Sequence, residues 1–403
     1  MVISFTIFFL AGLLGLLMRY MGIGNLSIDY KYILHAHSHT ALLGFGFIFI
    51  IGTFVFLLFP RSIYHRAYKR LLFVHLTLTI LMGLSFLYQG YGPISITFST
   101  LMLLVSYMIS HYILKDYKNV KNQLSNPMIP LSIFWYLLST IPLWGMGPVM
   151  VLLGRDHPLY FLTIQLFLHL QFNGWFTFAV IGLLIFYVQS RNIKYDLSRY
   201  GFYTLILSLF LTFCLNISAA IPHRLYFLLN SAGVILQLIA FIIILRPLLP
   251  GIIRTKSSQN PRWISWIFGA GIVSLLLKVI IQTLVAVPEY AIASYTIRNY
   301  TVGFIHLLMI GSCFMTVAGL LLKTGFLPTN KYSKWGWIFF TIAYIISEII
   351  LFAQATLTWM PGSYFPSYNT VIFWISTLYP LGIGLILIGL FYRTTPVNKE
   401  VVL

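Results

Sequence analysis

Residues 33–59 read ILHAHSHTALLGFGFIFIIGTFVFLLF, a stretch without one Asp, Glu, Lys or Arg, opened by His35, His37 and His39. A helix on the surface of a soluble protein carries a polar face. A helix in hydrocarbon needs instead about 20 mostly apolar residues to cross about 30 Å. Working outward from this stretch, eleven others pass the same test. The predicted spans cover 2–20, 33–59, 71–90, 93–114, 128–153, 159–189, 201–221, 225–245, 262–287, 300–322, 335–359 and 370–392. Only the turn Gly90-Tyr91-Gly92-Pro93 separates the third from the fourth. Composition agrees: of 403 residues, 59% are hydrophobic and 8% charged, too few charges to cover a soluble core. The chain reads as an all-α membrane protein, one polytopic transmembrane domain over 1–403 with membrane lipid as its surroundings. The first span lacks a basic leader and a small-residue cleavage site, so an uncleaved helix is expected. Cys214 and Cys313 sit in apolar runs and offer neither a disulfide framework nor a CxxC metal site.

The charge balance is lopsided, 25 Lys and Arg against 7 Asp and Glu. Its distribution explains it. Basic residues near span ends are retained on the cytoplasmic side. Nineteen of the 25 fall in the loops after even-numbered spans and in the C-terminal tail. Arg19, Lys31, Arg155, Arg224 and Arg298 lie on the other side, and Lys278 lies within span 9. Both termini are therefore expected to be cytoplasmic, and no nucleic-acid partner is implied.

Ionisable groups inside spans are costly and mark functional sites. Ten histidines are present. His65, His157 and His223 fall in loops or at helix ends, and His75 and His111 read as hydrogen-bonded structural groups. Three of the others share a local pattern, with glycine at the fifth position after the histidine: His39 with Gly44, His169 with Gly174, and His306 with Gly311. They fall on spans 2, 6 and 10, separated by 130 and 137 residues. The spacing predicts three parallel four-helix units, roughly 1–125, 126–260 and 261–403, each bringing one histidine to a common core. At ~1.5 Å per residue, His39 and His306 lie about 9 Å below the outer end of their spans and His169 ~15 Å. Two histidines at matched depth on separate helices can ligate both faces of one heme, and a nearby glycine would let a flat ring approach the backbone. The plainer alternative keeps three core histidines, with glycine serving close helix packing.

The whole chain resembles the catalytic subunit of the heme-copper oxidase superfamily. His39-Thr40-Ala41-Leu42-Leu43 is similar to the HTNLL of the nitric oxide reductase branch, whose histidine binds low-spin heme. His306-Leu307, with Gly311 and Met315, resembles GHLAFFGAYVM, which supplies the other axial ligand. His169-Leu170-Gln171-Phe172-Asn173-Gly174 resembles HLWVEG, where the histidine binds the non-heme metal. The stretch from His37 to Phe45 also resembles the HAHEMLFGF of NnrS-type membrane proteins, which are linked to nitric oxide stress. The resemblance implies a low-spin, bis-histidine heme b, with copper or non-heme iron as an open second metal. It further implies a quinol or cytochrome c as electron donor, a small gas as ligand, and a bacterial cytoplasmic membrane as location.

The departures matter as much. The family holds its high-spin heme with a histidine two positions before the span 10 ligand; Phe304 stands there. Its histidine pair in span 7 has no counterpart, and the acid of the span 6 motif is Asn173. The expectation is therefore a heme protein for electron transfer or for nitric oxide- or oxygen-linked redox or sensing, without a complete binuclear site. His35 and His37 are candidate replacement metal ligands, although on one helix His35 and His39 share a face and His37 points away. Glu348 reads as the only acid well inside a span and Lys278 as the only base, for which an intramembrane ion pair or snorkelling is the plain explanation. A second hypothesis, a twelve-helix secondary transporter, would place Glu348, Lys278 and His169 in a midplane site. The loop FPRSIYHRAYKR between spans 2 and 3 lacks the glycine-and-acid signature of the major facilitator family.

Overall fold

Hydrocarbon offers backbone groups no water, so a spanning chain must satisfy them within helices or closed barrels. This chain uses helices. The computed structural model describes residues 1–60, 62–120, 126–254, 261–360 and 363–392. Arg61, Lys121, Lys256, Arg393 and Lys399, counted above for orientation, lie outside the described residues.

Among the described residues there are thirteen helices and no strand, and twelve helices are long and apolar enough to cross a membrane. Spans 1 to 6 are Val2–Tyr20, Tyr30–Leu57, His65–Gln89, Pro93–Val120, Met128–Leu153 and Pro158–Gln189. Spans 7 to 12 are Arg199–Ala220, Arg224–Ile253, Arg262–Leu284, Arg298–Lys323, Lys331–Trp359 and Tyr368–Phe391. The thirteenth helix, Pro288–Thr296, is short and opens with proline at its first position, where a missing N–H costs nothing. The helices overrun several predicted ends. Span 3 starts at His65 rather than 71, and span 4 continues to Val120 rather than 114, because polar and basic residues extend a helix beyond its apolar stretch. The Gly90 turn does break the chain: Gly90 has φ +60°, a left-handed backbone that favours glycine, and the Ser95 hydroxyl ties the turn by donating to Gly90 O at 2.6 Å.

The chain divides into two compact units. The first holds residues 1–120, 261–267 and 317–403, so spans 1–4, 11 and 12 with the ends of spans 9 and 10. Span 2 is its buried element, with 83% of its apolar window covered, against 28–44% for spans 1, 3, 4, 11 and 12. Span 1 lies on spans 2 and 12, and span 3 on spans 2 and 4. Phe8 and Phe45 stack with ring centroids 4.0 Å apart, worth roughly 0.5–1.5 kcal/mol beyond burial. Spans 11 and 12 cross at Gly336 and Gly382, where a Cβ on Gly336 would stand 2.7 Å from Gly382 O. Small residues at such a crossing let two backbones touch.

The second unit holds residues 121–260 and 268–316, so spans 5–8 and most of spans 9 and 10. Here span 6 is fully covered and span 10 is 78% covered, against 22–44% for the others. Every residue from His169 to Val188 is buried. Span 6 contacts spans 5, 7 and 8. Span 7 is interrupted at Phe213, between helical stretches Arg199–Thr212 and Cys214–Ala220.

Candidate functional site

In three spans the α-helix gives way to a π-helical turn, and each time it does so at the residue after a histidine. Thr40–Gly46 follows His39, Leu170–Phe176 follows His169, and Leu307–Met315 follows His306. Such i→i+5 turns are rare and cluster at functional sites. All three close alike, the next N–H returning to a carbonyl three residues back: Phe47 to Gly44, Thr177 to Gly174, and Thr316 to Cys313. In the first two the acceptor is the glycine of the sequence pattern. Thr177 Oγ1 also donates to Phe172 O, five residues back, at 2.7 Å. Continuous burial begins within these turns, from Leu43 to Val55, from His169 to Val188 and from Gly311 to Leu322.

Around His39, in the first unit, the ring is oriented by its own helix. Nδ1 lies 3.0 Å from His35 O, so it carries the proton and donates it to that carbonyl. The tautomer leaves a lone pair on Nε2, toward which Tyr91 directs its hydroxyl at 3.1 Å. His35 and Phe86 complete the cluster, with the His35 ring 4.5 Å from the Tyr91 ring and the Phe86 ring 4.6 Å from His39. Tyr91 comes from the Gly90–Gly92 turn; the sequence reading used that turn only as a boundary. His37 faces the other way. Its Nδ1 donates to Ala11 O of span 1 at 2.9 Å, and its ring occupies the space where a Gly15 side chain would begin. His35 and His39 therefore share a face and His37 does not join them.

Around His169, in the second unit, both ring nitrogens have protein partners. Nε2 donates to Leu209 O of span 7 at 2.7 Å. The break in span 7 creates this acceptor: the Phe213 N–H, which a continuous helix would return to Leu209 O, bonds Phe210 O instead. Nδ1 lies 3.4 Å from the Asn173 amide nitrogen, one turn along. Asn173 Oδ1 in turn accepts from Lys278 Nζ at 2.8 Å. Lys278 is fully buried, its Nζ 5.7 Å from the Phe241 ring centre. Among the described residues no carboxylate pairs with it; neither a surface-reaching side chain nor an ion pair accounts for it. His306 is half-buried at the head of its own π turn.

The pattern glycines make close contacts. A Cβ on Gly44 would meet the Thr79 methyl, and one on Gly174 would stand 2.9 Å from Trp135 Cβ. His75 stacks on Phe47 at 5.1 Å, and its Nδ1 lies 3.4 Å from the Thr79 hydroxyl. His111 lines an open depression of about 300 Å³ with Tyr107, Met108 and Tyr112. Glu348 is buried in span 11, beside Ser347, whose hydroxyl lies 2.7 Å from Tyr379 OH. It is not the only buried acid. Because span 4 runs past residue 114, Asp116 lies on it, buried and accepting from Ser62 Oγ at 2.6 Å and Tyr68 OH at 2.7 Å. Among the described residues no three His, Cys, Asp or Glu side chains come together as a metal site.

No protein-family model matches the chain, and no curated protein matches it in sequence. The likeness to heme-copper oxidases accordingly rests on the three short motifs and on the spans that carry them.

Proposed function

We propose that the chain is an integral membrane heme protein on the plan of the heme-copper oxidase catalytic subunit, with three four-span repeats. The observation that supports this reading is the π turn placed directly after one histidine in each of spans 2, 6 and 10. His39 and His306 would hold the heme in this reading, an assignment made on the sequence motifs alone. What the first unit adds concerns His39: its Nδ1–H is committed to His35 O, which orients the ring and keeps Nε2 basic, as ligand histidines require. Tyr91 Oη, 3.1 Å from Nε2, would yield that position, and the glycines flanking it supply the freedom to do so. When bound, the iron would supply one-electron redox chemistry. Phe86, its ring 4.6 Å from that of the half-buried His39, and the buried stretch beyond Leu43 would lower the dielectric on its inner side. The basic loops support a cytoplasmic location for the even-to-odd connections of a multi-pass cell-membrane protein.

The experiment is a reduced-minus-oxidised spectrum of the purified protein. Sharp b-type bands that disappear in a His306→Ala variant are expected; a colourless protein with no bound iron overturns the reading. A secondary transporter is the second reading, favoured by the buried Lys278–Asn173–His169 series, and solute-dependent thermal stabilisation of a colourless protein would support it.

A further inference from the structure

Lys278 does not end the polar series in the second unit. Spans 8 and 9 run antiparallel, and two contacts join them. Asn230 Nδ2 donates to Val285 O at 2.8 Å, and the Phe241 ring lies 5.7 Å from Lys278 Nζ. Between these levels, one helical turn from Phe241 and one from Lys278, stand Gln237 and Gln282, within about one turn of each other along the seam. Asn230, Gln237 and Phe241 fall on one stripe of span 8, and Lys278 and Gln282 on one stripe of span 9.

Three oxygens along this seam, Asn230 Oδ1, Gln237 Oε1 and Gln282 Oε1, are buried and have no hydrogen-bond partner among the described residues. Asn230 and Gln237 are each 1% exposed. All three are acceptors, and each one left unmet in an apolar interior costs about 1–3 kcal/mol. Three in file therefore call for donors. Water is the donor that fits a seam of this kind, since a buried water takes about three hydrogen bonds from polar walls. At the far end, Lys278 supplies N–H groups beyond the one given to Asn173.

We infer that the seam between spans 8 and 9 is a hydrated file leading from the end where span 8 begins and span 9 ends to the amine of Lys278. Along it the amine exchanges protons with bulk water: it takes a proton from hydronium to become ammonium and leaves a water molecule, or the reverse. The inference is independent of heme. It gives a lysine enclosed by Asn173, Phe241 and span 6 a route to solvent that its complete burial otherwise denies.

The test uses the full chain in detergent with Cys214→Ser and Cys313→Ala as background. Single cysteines are introduced as Gln237→Cys, Gln282→Cys and, as a dry control in span 6, Ala179→Cys, at a residue with 0% exposure. A charged methanethiosulfonate reagent reports water contact, because only a hydrated thiol ionises and reacts. Modification of either glutamine-site cysteine about tenfold or more faster than Ala179→Cys is the expected result. Rates for both within about tenfold of the control overturn the file. Two probe positions keep the test decisive if one variant does not fold.

Discussion

His39 and His169 open the same sequence pattern and the same π turn, yet they are wired oppositely. His39 donates from Nδ1 to its own helix and turns Nε2 toward a tyrosine in an exposed turn. His169 donates from Nε2 to a neighbouring span and turns Nδ1 toward an amide that holds a buried lysine. One local device thus builds both a presented lone pair and a closed polar network. The difference lies in what the adjoining span offers: a Gly-Tyr-Gly turn in one unit, a broken helix with a carbonyl released from its backbone bond in the other.

Substitution can break this contrast, and on the proposed heme reading the largest effect is expected at His39. His39→Ala should abolish the heme difference spectrum, whereas His169→Ala should keep most of it per mole of protein. Bleaching by both would show that the two histidines share one role. Next in size, Asn173→Leu should strand the Lys278 amine and lower stability by about 1–3 kcal/mol, read by thermal unfolding in detergent. Adding Lys278→Met should recover most of that loss; an unchanged melting point in the single variant would show that Asn173 does not hold the lysine. Gly174→Ala should cost roughly 1–3 kcal/mol through overpacking on Trp135, while the cost of Gly44→Ala should be relieved by Thr79→Ser, which removes the opposing methyl. Failure of that rescue would place the strain elsewhere. The smallest effect is expected from Tyr91→Phe, about 0.5–1.5 kcal/mol for one hydrogen bond, with heme content no lower than in the parent protein. A marked fall in heme would make Tyr91 part of the binding machinery.

Much of this was legible in the chain. Twelve spans follow from apolar runs alone, since hydrocarbon leaves little alternative to helices. The three histidines stood out because glycine recurred five residues later, and that pattern marks the π turns, although nothing in it announces an i→i+5 bond. Span ends were less legible. Span 4 ran on through Asp116 because hydropathy falls off before the helix does, and so a buried acid was counted outside. The partners were least legible. Lys278 is 105 residues from Asn173, and only folding brings an amide and an amine together. Tyr91 lies 52 residues from His39, and a tyrosine between two turn glycines carries no sign of the hydroxyl contact that folding gives it.

Each π turn also has a mechanical consequence. A turn that closes i→i+5 takes up one more residue than an α turn, so the apolar stripe running at 3.6 residues slips by one position on crossing it. A conservative exchange inside Thr40–Gly46 can leave that slip in place. Removing a single residue would close the wide turn to a regular one: the inner half of the segment would keep its facing, and what would be lost is the local opening of the backbone just below the histidine.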